Sequence, residues 1–246
     1  MKSTERHKLK ENDFAHTIAR AREVVESRRS DLGLVVTVVV LVIALIGGYG
    51  WWRQSRNAKA DAALASALAV YEAPVVPLAA PAPGSPVPVA QPGVFQTERA
   101  KLDAALPKFT ATADQFPNTD AGIAARYHAA GILASLGRYA EAEQRYQDVA
   151  DKAGRGIYGR TARLGLADAQ VAQGKFDPAI KLYQELTTDP SSQLPVDGVL
   201  MQLGRAFAKA GKKDDAVRAF NRVVEEFPQS AYAADARREL EDVKKG

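Results

Sequence analysis

From Leu32 to Trp52 the chain reads LGLVVTVVVLVIALIGGYGWW, apolar at almost every position and without a charge. At about 1.5 Å per helical residue this run matches a hydrocarbon core of about 30 Å, so it predicts a transmembrane helix. Tyr49, Trp51 and Trp52 gather at its C-terminal edge, where amphipathic rings favour the headgroup layer. The pattern then changes twice. RNAKADAALASALAVYE, from Arg56 to Glu72, is Ala-rich and favours helix. APVVPLAAPAPGSPVPVAQPG, from Ala73 to Gly93, is dense in Pro, which excludes helix and predicts an extended linker or insertion.

Beyond residue 94 the pattern repeats itself. GRYAEAEQRY at Gly137 returns as GKFDPAIKLY at Gly174 and GKKDDAVRAF at Gly211, at an interval of 37 residues. The register holds for Gly137, Gly174 and Gly211; for Tyr139, Phe176 and Lys213; for Ala142, Ala179 and Ala216; and for Tyr146, Tyr183 and Phe220. Upstream it reaches Ala130, Ala167 and Gly204. Each copy predicts two antiparallel helices. The first carries a small residue where its partner crosses closely, and Gly ends it in the left-handed conformation. The second places Ala and an aromatic four residues apart on one face. One pair cannot bury its apolar stripe alone, so the copies are expected to stack into a solenoid, with the aromatics as inter-repeat core.

The pattern of small residue, Gly-x-aromatic, Ala-x-x-x-aromatic and following Pro resembles the tetratricopeptide repeat, with a period of 37 instead of 34. The longer period implies longer loops at DKAGRGIYG and TDPSSQLPVDG. QFPNTDAGIAA at Gln115 and EFPQSAYAADA at Glu226 echo each other three intervals apart. Phe95 to Gln115 supplies a second helix in register, with Ala105 and Phe109, but lacks a local partner. The Arg56–Glu72 helix is expected to dock there with the Pro-rich segment looped out; a free stalk helix is the alternative. SAYAADARRELEDVKKG closes the chain as a capping helix with Ser230 at its N-cap. The expected fold is all-α, with a single N-terminal transmembrane helix followed by a tetratricopeptide-repeat-like helical solenoid. Its divisions are a tail (1–31), the span (32–52), the Ala-rich helix (53–73), the Pro-rich stretch (74–93) and the solenoid with its cap (94–246).

Charge narrows the function. Residues 94–246 hold 22 Lys/Arg against 21 Asp/Glu, so the folded part is nearly neutral and nucleic-acid binding is not expected. Eight Lys/Arg precede the span and three follow it before residue 74, which by the positive-inside rule puts the N-terminus in the cytoplasm. A cleaved export signal competes with this reading, for which SRRSDLGL at Ser27 offers a twin-arginine pattern. Against it, the apolar run exceeds a signal core and is followed by Tyr-Gly-Trp-Trp-Arg instead of a small-residue cleavage site. With no Cys, three His and no phosphate loop, zinc spacing or nucleophile elbow, the sequence predicts neither an enzyme nor a cofactor or metal site. His128 is expected to be a partly buried helix-face residue, and Asp214-Asp215 and Glu225-Glu226 solvated faces. Binding is expected on a concave surface of first helices, with Arg126, Tyr127, Arg163, Gln170, Gln202 and Arg205 as candidate groove residues by their recurrence around the register.

The overall layout, together with WWRQSRNAKADAALASALAVY after the span, resembles the bacterial envelope family typified by the ancillary subunit of the SecYEG translocon. That resemblance implies a single-pass inner-membrane protein with a periplasmic domain that associates with the translocon and periplasmic chaperones. The EFPQSAYAADA ending also resembles coordinators of envelope assembly or cell division, which implies folded envelope proteins as partners and a possible oligomer.

Overall fold

The computed structural model describes residues 29–77, 93–189 and 194–245; the N-terminal tail and most of the Pro-rich stretch lie outside them. The chain divides into two units, one ending at Ser55 and one running from Arg56.

Helix α1 spans Arg29–Tyr71. Within the first unit its apolar side chains are uncovered: Leu45 is 72 % and Trp51 76 % exposed. The helix is long and apolar enough to cross a membrane.

Among its described residues the regular structure of the second unit is helical, apart from one isolated bridge. After α1 come α2 (Glu98–Gln115), α3 (Asp120–Ser135), α4 (Tyr139–Ala153), α5 (Ile157–Ala172), α6 (Phe176–Thr188), α7 (Val196–Lys209), α8 (Lys213–Glu226) and α9 (Ala233–Lys245). From α2 onward each helix packs on the next, and the first helices α3, α5 and α7 also touch in series. The core is accordingly a chain of apolar clusters without one centre, as expected of a solenoid.

The three recurring glycines end α3, α5 and α7 at φ of 77°, 75° and 74°. At each, the next residue's N–H reaches back to the helix: Arg138 to Leu133 O, Lys175 to Gln170 O and Lys212 to Phe207 O, all at 2.9 Å. Glycine's own N–H donates to the carbonyl three residues earlier, completing a Schellman motif that satisfies otherwise orphaned acceptors. The Phe-Pro echo is also a helix stop. Phe116 and Phe227 cap α2 and α8 with nearly equal backbone angles (φ/ψ −125°/51° and −129°/55°).

Arg56–Tyr71, the C-terminal part of α1, occupies the missing first-helix position. Ala60 and Ala67 are fully buried; Ala67 packs with Leu102, Ala105 and Phe109 of α2, and Ala60 with Phe116 and Ala121. The flanks of the Pro-rich insertion are pinned together, with Val76 N–H donating to Phe95 O at 2.8 Å and Phe95 N–H to Pro74 O at 3.0 Å. The chain therefore leaves and re-enters the solenoid at one point.

Three expectations need correction. Tyr139 is 38 % exposed at the first position of α4, so it is not core, whereas Tyr146, Tyr183 and Phe220 are buried and Phe176 packs on the core from the edge. The missing aromatic at Lys213 therefore costs the third copy little. At DKAGRGIYG the connection is short, because α4 continues to Ala153 and α5 begins at Ile157. Ser230 is not the N-cap of α9, which begins at Ala233. Its hydroxyl instead accepts from Tyr232 N–H at 3.0 Å and donates to Asp197 Oδ2 at 2.5 Å, tying the cap to α7.

Candidate protein-binding surface

The candidate groove residues sit two on each first helix: Arg126 and Tyr127 on α3, Arg163 and Gln170 on α5, Gln202 and Arg205 on α7. They do not converge. Arg126 is 5 % exposed. Its Nη2 donates to Ala113 O at 3.3 Å, near the C-terminus of α2, where the last carbonyls carry partial negative charge. Its Nε and Nη1 are buried with no hydrogen-bond partner among the described residues. This guanidinium closes a helix end and lines no open groove.

Gln170 is also interior. Its Nε2 donates to Glu143 Oε1 at 3.2 Å, while Gln173 Nε2 and Lys175 Nζ donate to Oε2 at 2.7 Å each. Burial disfavours ionisation of Glu143, but these donors outweigh it and hold its pKa below the usual carboxylate value. The residues tie α4 to α5 and to the start of α6.

Tyr127 belongs to an aromatic seam. Its ring lies 5.8 Å from His128, 5.8 Å from Tyr146 and 5.6 Å from Tyr158, in tilted or edge-on geometry. His128 stacks on Phe109 at 5.1 Å, extending the seam to the helix that carries the docked α1. It is the half-buried helix-face residue expected. Arg163 lines an open hollow of about 400 Å³ with Arg155, Glu185 and Asp189. Gln202 is half-buried on α7. Arg205 Nε donates to Glu239 Oε1 of α9 at 2.9 Å, holding the cap. Of the six, Tyr127, Arg163, Gln202 and Arg205 thus retain exposed surface.

Two features escaped the sequence reading. Tyr183 buries its ring and donates from its hydroxyl to Asp168 Oδ1 at 2.5 Å; burial and the adjacent carboxylate raise the phenol's pKa well above its ordinary value. The second is a cleft of about 400 Å³ between α6 and α8, floored by Leu200, Leu203 and Phe207 of α7. The register carried a signal for it: Arg126 and Arg163 become Leu200, and Gln170 becomes Phe207, so the floor turns apolar in the last copy. Asp215 pairs with Arg218 and Arg222 with Glu226 along the outer face of α8, as solvated faces.

The chain matches the model of a family described as tetratricopeptide repeat-like domain over residues 32–244. Among solved structures it is similar to a putative kinesin light chain with tetratricopeptide-like repeats from Podosopora anserina, at 15 % identity and a TM-score of 0.54, covering 60 % of this chain and 79 % of that one. It is also similar to a tetratricopeptide repeat protein from Parabacteroides merdae, at 17 % identity and a TM-score of 0.50, covering 60 % of this chain and 56 % of that one. At these identities the likeness shows the fold alone. No match is found among curated proteins.

Proposed function

The chain belongs to the tetratricopeptide repeat-like domain family, and on that premise we propose that it is a membrane-anchored scaffold that binds proteins, serving as a translocon-associated adaptor for exported proteins. Solenoids of this kind present extended surfaces to protein partners and are typically non-enzymatic. The observation that carries the reading is the presence of two parts: an apolar helix whose side chains are uncovered among the described residues, and a repeat array completed by the Arg56–Tyr71 segment packed on α2. The excess of Lys/Arg before the span supports an N-terminus in the cytoplasm and a solenoid on the periplasmic side of a bacterial inner membrane. The layout shared with the ancillary translocon subunit family supports the translocon and periplasmic chaperones as partners.

Crosslinking of tagged full-length protein in native membranes, followed by affinity capture and mass spectrometry, tests this. Recovery of SecYEG with exported clients is expected. Recovery of cell-wall or outer-membrane assembly proteins without the translocon would move the function to envelope coordination.

A further inference from the structure

We propose that Asp168, with the hydroxyl of Tyr146 beside it, binds the ammonium of a lysine side chain presented by a protein partner. The inference rests on the scaffold reading and adds the partner's chemistry. Asp168 lies on α5, between Gly131 of α3 and Arg205 of α7 in the repeat register. It retains exposed surface, and among the described residues it accepts from Tyr183 at Oδ1 and pairs with no Lys or Arg. Arg205, its counterpart in the next copy, is taken by Glu239, so the register does not supply the missing cation. Desolvation by the surrounding protein outweighs the Tyr183 bond and raises the carboxyl's pKa. A cation brought here therefore gains more than it would beside a fully hydrated surface acid.

Tyr146 supplies a second acceptor. Its ring packs on α5 at Gly165, where a Cβ would stand 2.5 Å from Cζ, and Asp168 follows one turn later on the same face. The ring is buried, but the hydroxyl has no hydrogen-bond partner among the described residues and is not sealed from solvent. Burial first, then Tyr127 and the Asp168 charge, raise this phenol's pKa and keep it neutral. In front of it Gly131 leaves room: within 4 Å a Cβ there would meet only Tyr146 Oη, at 3.5 Å. An unpaired carboxylate, an open phenol oxygen and this space together suit a compact cationic donor. Lysine fits better than arginine, because Oδ1 already accepts from Tyr183 and a bidentate fork would find it occupied.

The test uses full-length protein in phosphatidylcholine nanodiscs, with empty nanodiscs subtracted, and reads anisotropy of three peptides whose N-terminus carries fluorescein. These are Ser-Ala-Leu-Lys-Leu-Ala-Ser and its versions with norleucine or arginine in place of lysine. The lysine peptide is expected to bind at least about tenfold more tightly than the norleucine peptide, and more tightly than the arginine one. Asp168→Asn, which keeps an acceptor for Tyr183, should erase the preference for lysine over norleucine; Gly131→Leu, which fills the space, should weaken lysine-peptide binding by at least about tenfold. Unchanged melting of each variant confirms its fold. Equal binding of the lysine and norleucine peptides, no binding of any peptide, or a lysine preference that survives Asp168→Asn would overturn the proposal. Tighter binding of the arginine peptide would overturn the assignment to an ammonium. If the proposal falls while native-membrane crosslinking still captures partners, the scaffold stands and its binding surface lies elsewhere; if crosslinking captures none, the scaffold reading falls with it.

Discussion

The ring of Phe220 lies so close to Gly204 that a Cβ on that residue would stand 2.5 Å from Cε1. The equivalent positions in the other copies are Ala130 and Ala167, and helix propensity alone would favour Ala here by about 1 kcal/mol. Phe220 is fully buried and has no room to retreat, so overpacking, which costs about 1–3 kcal/mol, should win. Gly204→Ala is therefore expected to lower stability by about 1 kcal/mol. Urea unfolding measures it, and a higher midpoint would show that the ring is elsewhere.

Ala67 is fully buried between α1 and α2 among apolar side chains. Ala67→Glu should release Arg56–Tyr71 from the solenoid, because burying an unpaired carboxylate costs several kcal/mol. Hydrogen exchange should accelerate at amides 60–71 while α7 and α8 keep their protection, since contacts in a solenoid are nearest-neighbour. Uniform acceleration along the chain would show a single cooperative core instead.

His128 gives the folded unit a proton-sensitive position. Burial lowers its pKa below 6.5, with Glu72 pulling the other way. Above that pH both the folded and unfolded forms are neutral. As pH falls the unfolded chain takes the proton first, so stability should decline from about pH 6.5 until the lower folded-state pKa is passed. His7 and His16 lie outside the second unit, which leaves His128 as its only histidine. Melting temperatures at pH 7.5 and 5.5 should differ for the natural chain and differ less for His128→Phe. An equal difference in both would assign the effect to carboxylates.

Tyr183→Phe removes the hydroxyl that donates to Asp168 while keeping the buried ring. A hydrogen bond to a charged acceptor contributes about 1.5–3 kcal/mol when buried; Asp168 is itself exposed, so a loss near 1 kcal/mol is expected. Denaturant unfolding reads the change, and a cost above that of Gly204→Ala would mark Asp168 as more enclosed than its exposure indicates.

The repeat's period and its glycines were legible because each glycine holds a left-handed backbone that disfavours a side chain, and because Ala142, Ala179 and Ala216 must all lie flat in the core. The docked helix was legible from an unmatched second helix with Ala105 and Phe109 in register. The candidate surface was less so. Recurrence selects positions and not directions, and Arg126 and Gln170 stand at positions that turn inward, where a helix end accepts from one nitrogen of Arg126 and Glu143 accepts from Gln170. Tyr139 misled because the residue after the turn starts the second helix, where its ring faces solvent. The cleft between α6 and α8 arises from the spacing of two helices over a third, which no single helix's pattern encodes.

The most direct test of a protein-binding scaffold is site-specific photocrosslinking of the full-length chain in native membranes. Photoreactive residues at Thr187 in the cleft, Gln202 on α7 and Lys181 on the exposed face of α6 sample three directions. Discrete protein adducts from Thr187 or Gln202, and none from Lys181, are the expected result. No adduct at any of the three, with the protein intact in the membrane, would contradict the scaffold.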